Sequence, residues 1–300
     1  MTDRRLPTFI LVGVSRAGTT TAFDLLSRHP QVCGALKKET RYFQAIRYGE
    51  PLAPLDDYRA FFRPGPQHLV VMESTPDYIY GGERTARAIK EVCDPRVAVI
   101  LREPASRLVS FYRLMRSGLQ LPADMSFEAY VERCRSLPDD QMDRRETNPY
   151  TGVWTGEYAR FLPPWLELFG DRCDILFFDD FAADPRQALG EECRRLGIDP
   201  DLLPAQVQAE NASRANRSAA LQRLAAAVAR RGRRVWHYHP RLAGLARRTY
   251  EAVNFRAADD IPIADAAVAA AREAYRPWNG ELRAMLLAAG VTTLPGWLAQ

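Results

Sequence analysis

The sequence predicts an α/β fold: a P-loop-type central parallel sheet flanked by helices on both faces, in a single domain with a helical C-terminal part. Three observations predict it. Four short apolar runs (Thr8–Val14, Leu69–Met72, Arg96–Leu101 and Cys173–Phe178) each end in glycine or polar residues. Helical stretches alternate with these runs, and near-continuous apolar strands between helices belong to parallel sheets covered on both faces. The first run passes through a glycine-bounded loop directly into a helix, the opening unit of such a sheet.

Each element has its own signals. Thr8–Val14 is β-branched and apolar, and reads as a buried strand. After the loop Ser15–Gly18, a helix over Thr19–Arg28 puts Ala22, Leu25 and Leu26 on one face, and His29-Pro30 stops it. The second run leads into Glu73-Ser74-Thr75-Pro76. The third leads into Arg102-Glu103-Pro104 and a helix from about Ala105 to Arg116, and the fourth ends at Asp179-Asp180. Residues from about 117 to 150 are polar and contain proline, which suits a surface excursion or lid. From 205 to 248 the chain is rich in alanine and arginine and reads as helical, with the basic cluster Arg230-Arg231-Gly232-Arg233-Arg234. The α/β core is expected at about 7–200 and the helical part at about 205–300.

Composition narrows the function classes. A chain of 300 residues, 47% hydrophobic and 26% charged, can bury a sizeable core and is neither disordered nor fibrous. The net charge of +4 is spread among acids, so a general nucleic-acid binder is not indicated. Lysine occurs only at Lys37, Lys38 and Lys90, which leaves arginine to grip any phosphate. Cys33, Cys93, Cys134, Cys173 and Cys193 form no CxxC pair and no zinc-like cluster, so reduced core cysteines and no metal are expected. The apolar stretch Phe9–Val14 is too short for a signal peptide, and no run approaches the roughly 18 apolar residues of a membrane span. A cytoplasmic protein is the expectation.

The chemistry concentrates in two places. Gly13-Val14-Ser15-Arg16-Ala17-Gly18-Thr19-Thr20 has the G-x4-G frame of a phosphate loop, with strand before and helix after. Amides at the start of that helix favour an anion. Nucleoside triphosphatases place lysine directly after the second glycine; here Thr19 stands there and the cation is Arg16. Such a loop suits a single 5′-phosphate carrying a group to be transferred better than a triphosphate with magnesium. Asp179 is the nearest thing to a metal-holding acid at a strand end. The second place is Arg102, at a strand's carboxyl end, with Ser110 eight residues on; together they can converge on one phosphate. A bland alternative pairs Arg102 with Glu103.

The run from Phe9 to Thr21 resembles the 5′-phosphosulfate loop of the sulfotransferases that use PAPS (3′-phosphoadenosine 5′-phosphosulfate). The run Arg102-Glu-Pro-Ala-Ser-Arg-Leu-Val-Ser110 resembles that family's 3′-phosphate motif. Lys38 to Phe43 and Glu73 to Pro76 are similar to segments of the carbohydrate-type branch, which includes heparan-sulfate sulfotransferases and bacterial relatives. Gly156-Glu-Tyr158 through Trp165, and Leu294-Pro-Gly-Trp297, follow its later pattern. The resemblance implies transfer of a sulfuryl group from PAPS to a hydroxyl or amine of a carbohydrate or small-molecule acceptor, leaving PAP (3′-phosphoadenosine 5′-phosphate).

It further implies that Arg16, Ala17, Gly18, Thr19, Thr20 and Thr21 hold the 5′ end, and that Arg102 and Ser110 hold the 3′-phosphate. Arg217 is a further nucleotide contact. Glu39 is the base that deprotonates the acceptor; His29 is an alternative base, and Glu73 and Asp77 are further carboxylates near a strand end. Arg16 departs from the family's lysine: it can stabilise charge on the leaving phosphate but cannot donate a proton at neutral pH. Tyr42, Phe43, Tyr78, Tyr112 and Trp154 could line an acceptor pocket or stack on adenine. Two alternatives compete, a P-loop kinase or nucleoside triphosphatase and a non-catalytic nucleotide-binding relative.

Overall fold

A computed structural model describes residues 5–205, 214–216, 255–257 and 261–299, the two short middle segments as backbone only. Five parallel strands form the central sheet: β1 (Phe9–Gly13), β2 (Val32–Gly34), β3 (Val70–Ser74), β4 (Arg96–Leu101) and β5 (Cys173–Phe177), in the order β2-β3-β1-β4-β5. All four expected runs are strands. The three-residue β2 was not expected, because Val32-Cys33-Gly34 is too short to carry a periodic signal. β1 is the central strand. Phe9 lies level with Met72 on one side and Arg96 on the other. The chain passes from β1 to the edge strand β2, returns inward to β3, then crosses β1 to reach β4 and β5, so the loop after β1 sits where the strand order switches sides. That is where open α/β sheets bind ligands.

The helices follow in chain order: α1 (Thr19–Ser27), α2 (Gln44–Arg47), α3 (Leu55–Arg59), α4 (Gly82–Val92), α5 (Pro104–Ser117), α6 (Phe127–Arg135), α7 (Tyr158–Phe161), α8 (Pro163–Phe169), α9 (Phe178–Ala183), α10 (Pro185–Arg195), α11 (Asp265–Ala288) and α12 (Gly296–Ala299). Beside them lies a short antiparallel pair, β6 (Arg214–Asn216) with β7 (Phe255–Ala257). α5 starts sharply: Pro104 occupies its first turn, and the Glu103 carboxylate accepts from the amides of Ala105 and Ser106 at 3.0 and 2.7 Å. Asp184 caps α10 in the same way.

The main core lies over the sheet. A second cluster joins Leu108, Phe111 and Tyr112 of α5 to Phe127 and Tyr130 of α6 and Tyr275 of α11. The 117–150 segment is therefore only partly a surface excursion. Phe127, Tyr130 and Cys134 recur at helical spacing, and that face is buried. The alanine- and arginine-rich stretch expected to be helical lies mostly outside the described residues.

One buried charge sets a pH response. Glu192 of α10 is 1% exposed, and neither carboxylate oxygen has a hydrogen-bond partner among the described residues. Burial, and then the charge of Asp174, raise its pKa to about 8. Since the folded value exceeds the ordinary 4.5, the folded chain holds this proton more tightly than the unfolded chain. Stability therefore falls as pH rises from the ordinary value through the folded one. Glu192→Gln removes the ionisation penalty. It is expected to add about 2–4 kcal/mol of stability near pH 9 and under about 1 kcal/mol near pH 5, as read by urea unfolding.

Candidate functional site

The phosphate loop closes by backbone geometry. Arg16 and Gly18 both adopt left-handed conformations, with φ of 71° and 81°. Gly18 is required twice over: its φ favours glycine, and a Cβ there would lie 2.9 Å from the Phe181 ring. A Cβ at Gly13 would likewise meet Ile79 at 2.9 Å, so the turn after β3 packs directly under the loop. The first backbone bond of α1 runs from the Ala22 amide to the Gly18 carbonyl, so the amides of Thr19 and Thr20 precede the helical ladder. No acidic residue stands in the first turn of α1. The positive end of this helix therefore has no carboxylate in its first turn to offset it, and Asp24 further along pairs with Arg28.

Three guanidinium groups gather beside it. Arg16 Nε donates to Ser110 Oγ at 3.0 Å, and Arg102 Nη1 donates to the Arg16 carbonyl at 2.9 Å. The two arms expected to hold opposite ends of one nucleotide are thus joined through Arg16. Arg107 lies one helical turn before Ser110 on α5. It is fully buried, and it donates to the Gly152 carbonyl and to Thr155 Oγ1 at 2.9 Å. Its Nε and Nη1 have no partner among the described residues. Burial, then Arg102 and Arg107, lower the pKa of Arg16; burial also leads the lowering at Arg102. Guanidinium groups stay charged at neutral pH even so. Among the described residues none of the three pairs with a carboxylate. Glu103, the bland partner for Arg102, is engaged in capping α5 instead.

Aromatic rings fix these arms. The Arg102 guanidinium sits 4.4 Å from the Phe178 ring centroid, within cation–π range, and the Tyr158 hydroxyl donates to the Arg102 carbonyl at 2.8 Å. Ala17 and Thr19 are buried, Thr21 nearly so, and Thr20 is exposed. Sequence reasoning missed Arg107, Tyr158 and Phe178 as parts of this site. The visible signal for Arg107 was an arginine on the apolar face of α5, three positions before Ser110.

On the other side of the loop lie the carboxylates. The Glu39 amide donates to the Ser74 carbonyl at 3.0 Å, which holds the 37–43 segment at the carboxyl end of β3. Lys38 Nζ donates to Glu39 Oε1 and Arg41 Nη2 to Oε2, each at 2.8 Å. Burial pushes Glu39 up, but these two pairs outweigh it and leave its pKa lowered. Glu73 is fully buried and accepts from four hydroxyls: Thr40, Tyr58, Thr75 at 2.8 Å and Tyr78 at 2.8 Å. It is a structural acceptor rather than an open base. Glu39 and Arg41 are both left-handed, at φ 60° and 59°, and the Thr40–Glu73 bond between them clamps that turn.

His29 is buried, its Nε2 2.7 Å from the Asp199 carbonyl oxygen and its Nδ1 accepting from the Gln31 amide, so it braces the chain and is not an open base. Phe43, Tyr78 and Tyr112 are core, and Tyr42 stacks on Tyr58 at 4.3 Å. Trp154 is partly buried against Phe161. Arg217 and the Arg230–Arg234 cluster lie outside the described residues. Among the described residues no group of histidines, cysteines and acids could hold a metal ion, and no helix is long and apolar enough to cross a membrane.

No family model matches the chain. Over 169 residues it is 31% identical to heparan sulfate glucosamine 3-O-sulfotransferase 3A1 of Mus musculus, covering 56% of this chain and 39% of that protein. Over 166 residues it is 31% identical to heparan sulfate glucosamine 3-O-sulfotransferase 6 of Homo sapiens, covering 55% and 44%. Over 209 residues it is 27% identical to bifunctional heparan sulfate N-deacetylase/N-sulfotransferase 4 of Mus musculus, covering 65% and 23%. The chain thus spans less than half the length of these curated relatives. The crystal structure of a sulfotransferase from Alicyclobacillus acidocaldarius superposes with a TM-score of 0.70 at 17% identity, over 98% of this chain and 99% of that one. The chain is thus similar in sequence to heparan sulfate sulfotransferases over more than half its length, and it shares its fold with a bacterial sulfotransferase over nearly all of it.

Proposed function

We propose that the protein transfers a sulfuryl group from PAPS to a hydroxyl or amine of a carbohydrate or small-molecule acceptor. The observation that carries this reading is the cluster of Arg16, Arg102 and Arg107. It joins an acid-free helix N-terminus, and no carboxylate among the described residues pairs with the cluster. Three like charges held together in a buried place favour a polyanion in that place.

In-line displacement at sulfur needs alignment and a sink for the charge that develops on the leaving phosphate. Arg16 with the amides of Thr19 and Thr20 supplies that sink, while Arg102 and Ser110 take the 3′-phosphate. Gly18, Ala17 and Thr21 shape the cradle, and Arg217 is a further proposed nucleotide contact. Glu39 is the proposed acceptor-side carboxylate. The heparan-sulfate activity in the relatives' names supports a glycan acceptor. A reducing compartment such as the cytoplasm suits cysteines that are all free, and a bacterial member suits the full-length likeness to the Alicyclobacillus fold.

Calorimetry with PAP, ADP and ATP tests the donor. PAP is expected to bind at least ~30-fold more tightly than ADP, the worth of about 2 kcal/mol for a charge-assisted grip on the 3′-phosphate. Arg102→Ala should abolish most of that preference and leave ADP affinity nearly unchanged. Binding of ATP without binding of PAP would sink the reading.

A further inference from the structure

One border of the sheet lies against an open cleft. β5 pairs with β4 alone among the described strands, so its other side presents backbone donors and acceptors that no neighbouring strand takes up. All five of its residues, Cys173–Phe177, line a cleft of about 630 Å³. Side chains alternate between the two faces of a strand. A cleft met by five consecutive residues therefore runs along the edge of β5 rather than over one face. The opposite border is blunted by brevity, since β2 has only three residues.

The rest of the lining is acidic. Asp184, Gln187, Ala188, Glu191 and Arg195 repeat at helical spacing, so one face of α10 borders the cleft, and residues 290–293 complete it. Four acids line it, Asp174, Asp180, Asp184 and Glu191, against one cation, Arg195. Arg195 lies 3.6 Å from Asp174, 3.7 Å from Glu191 and 3.5 Å from Glu192, so its charge is engaged at that end. The end beyond Phe177 has no such cation. Asp180 and Asp184 are exposed, and no ion pair among the described residues includes either. Asp184 accepts from the Arg186 and Gln187 amides through Oδ1 alone, which leaves Oδ2 to the cleft side of the cap. Its own amide donates to the Asp180 carbonyl at 3.0 Å, so the two acids share one turn.

Two properties decide what fits. An open strand edge takes an extended backbone, which bonds along it as an added strand. An excess of carboxylates takes cations, and an added strand presents every second side chain to the same side. A second copy of this chain is disfavoured. Pairing β5 with its own copy about a two-fold axis would bring two such acidic linings together.

We propose that this cleft docks an extended segment of a partner polypeptide that carries arginine or lysine. The segment adds to the sheet beside β5 and sets its cations against Asp180 and Asp184. This does not rest on the sulfuryl-transfer reading.

Fluorescence anisotropy on the full chain tests it. The probe is a blocked peptide of about seven residues, arginine alternating with valine, matched in length to β5. Saturable binding with a Kd below about 100 μM is expected. Exchanging the arginines for glutamates should weaken binding about tenfold or more. Methylating alternate backbone nitrogens keeps every charge and removes the strand bonds, and should weaken it by about as much. Asp180→Asn combined with Asp184→Asn should cost about tenfold in peptide affinity. Urea unfolding should stay as in wild type, because asparagine still caps α10. Saturating PAP should leave peptide binding unchanged.

No binding, or equal binding of the methylated and unmethylated peptides, overturns the proposal. Competition by PAP overturns it too, since the peptide would then sit at the nucleotide site. Ala188→Trp, which fills the cleft, exposes a rival occupant: a dimer by light scattering that this variant makes monomeric gives the cleft to a second copy. Peptide binding that appears only after Arg230, Arg231, Arg233 and Arg234 are changed to glutamine gives it to the chain's own basic run. Either result overturns the proposal.

Discussion

Arg16→Ala lowers kcat by roughly 10²–10³-fold, the usual cost of deleting one preorganised donor aimed at developing charge. The expectation follows from where Arg16 sits. Its guanidinium is fixed by Ser110 at 3.0 Å, its own carbonyl accepts from Arg102, and its backbone is left-handed within the loop. Deletion therefore removes a charge that is already in position and costs no reorganisation during the reaction. PAP affinity should fall less than kcat, because Arg102, Ser110 and the start of α1 remain. Arg16→Lys separates charge from geometry. It keeps the cation and loses the planar fork, and is expected to retain activity within about tenfold of wild type. Single-turnover rates with PAPS, alongside PAP calorimetry, check both variants. An Arg16→Ala protein with unchanged kcat would remove Arg16 from the chemistry.

Glu73→Leu costs about 3–5 kcal/mol of stability, the largest structural effect expected at the site. Four hydroxyls, from Thr40, Tyr58, Thr75 and Tyr78, lose their shared acceptor in a place without exposure to water. Each buried donor left unmade costs about 1–3 kcal/mol, reduced where a hydroxyl can rotate to another partner. Glu73→Gln keeps an acceptor oxygen and the shape, and should cost only about 1–2 kcal/mol. The damage is also functional. Without its bond to Glu73, Thr40 no longer clamps the left-handed Glu39 and Arg41, and the acceptor side of the site loosens. Urea unfolding of the two variants, compared with wild type, reads the difference. A Glu73→Leu protein within about 1 kcal/mol of wild type would show that the hydroxyls find other partners.

Much of the scaffold was legible because its signals are local. Apolar β-branched runs mark strands β1, β3, β4 and β5, and Gly13 and Gly18 mark a loop whose φ values and close contacts need glycine. Arg102 and Ser110 lie on either side of Arg16, each bonded to it. Illegible were features that depend on distant parts of the chain meeting. Arg107 looked like one more arginine on a helix, and only the packing of α5 against Tyr130, Tyr158 and Tyr275 buries it. The ion pairs that quench Glu39 depend on the rotamers of Lys38 and Arg41, which periodicity cannot decide. The α6 segment reads as surface because its charged residues outnumber its apolar periodic ones, and β2 has only three residues, too few for a pattern.

The last described turn reaches back to the beginning of the fold. Trp297 Nε1 donates to Asp179 Oδ2 at 3.2 Å, and its ring meets Phe177 edge-on. The adjoining Phe178 and Phe181 press on Arg102 and Gly18. A nascent chain that has already exposed its phosphate loop must therefore await residues near 297 before that loop gains its full backing. During synthesis on the ribosome, nucleotide capture should come late, close to release of these residues, although the residues that grip the nucleotide emerge early.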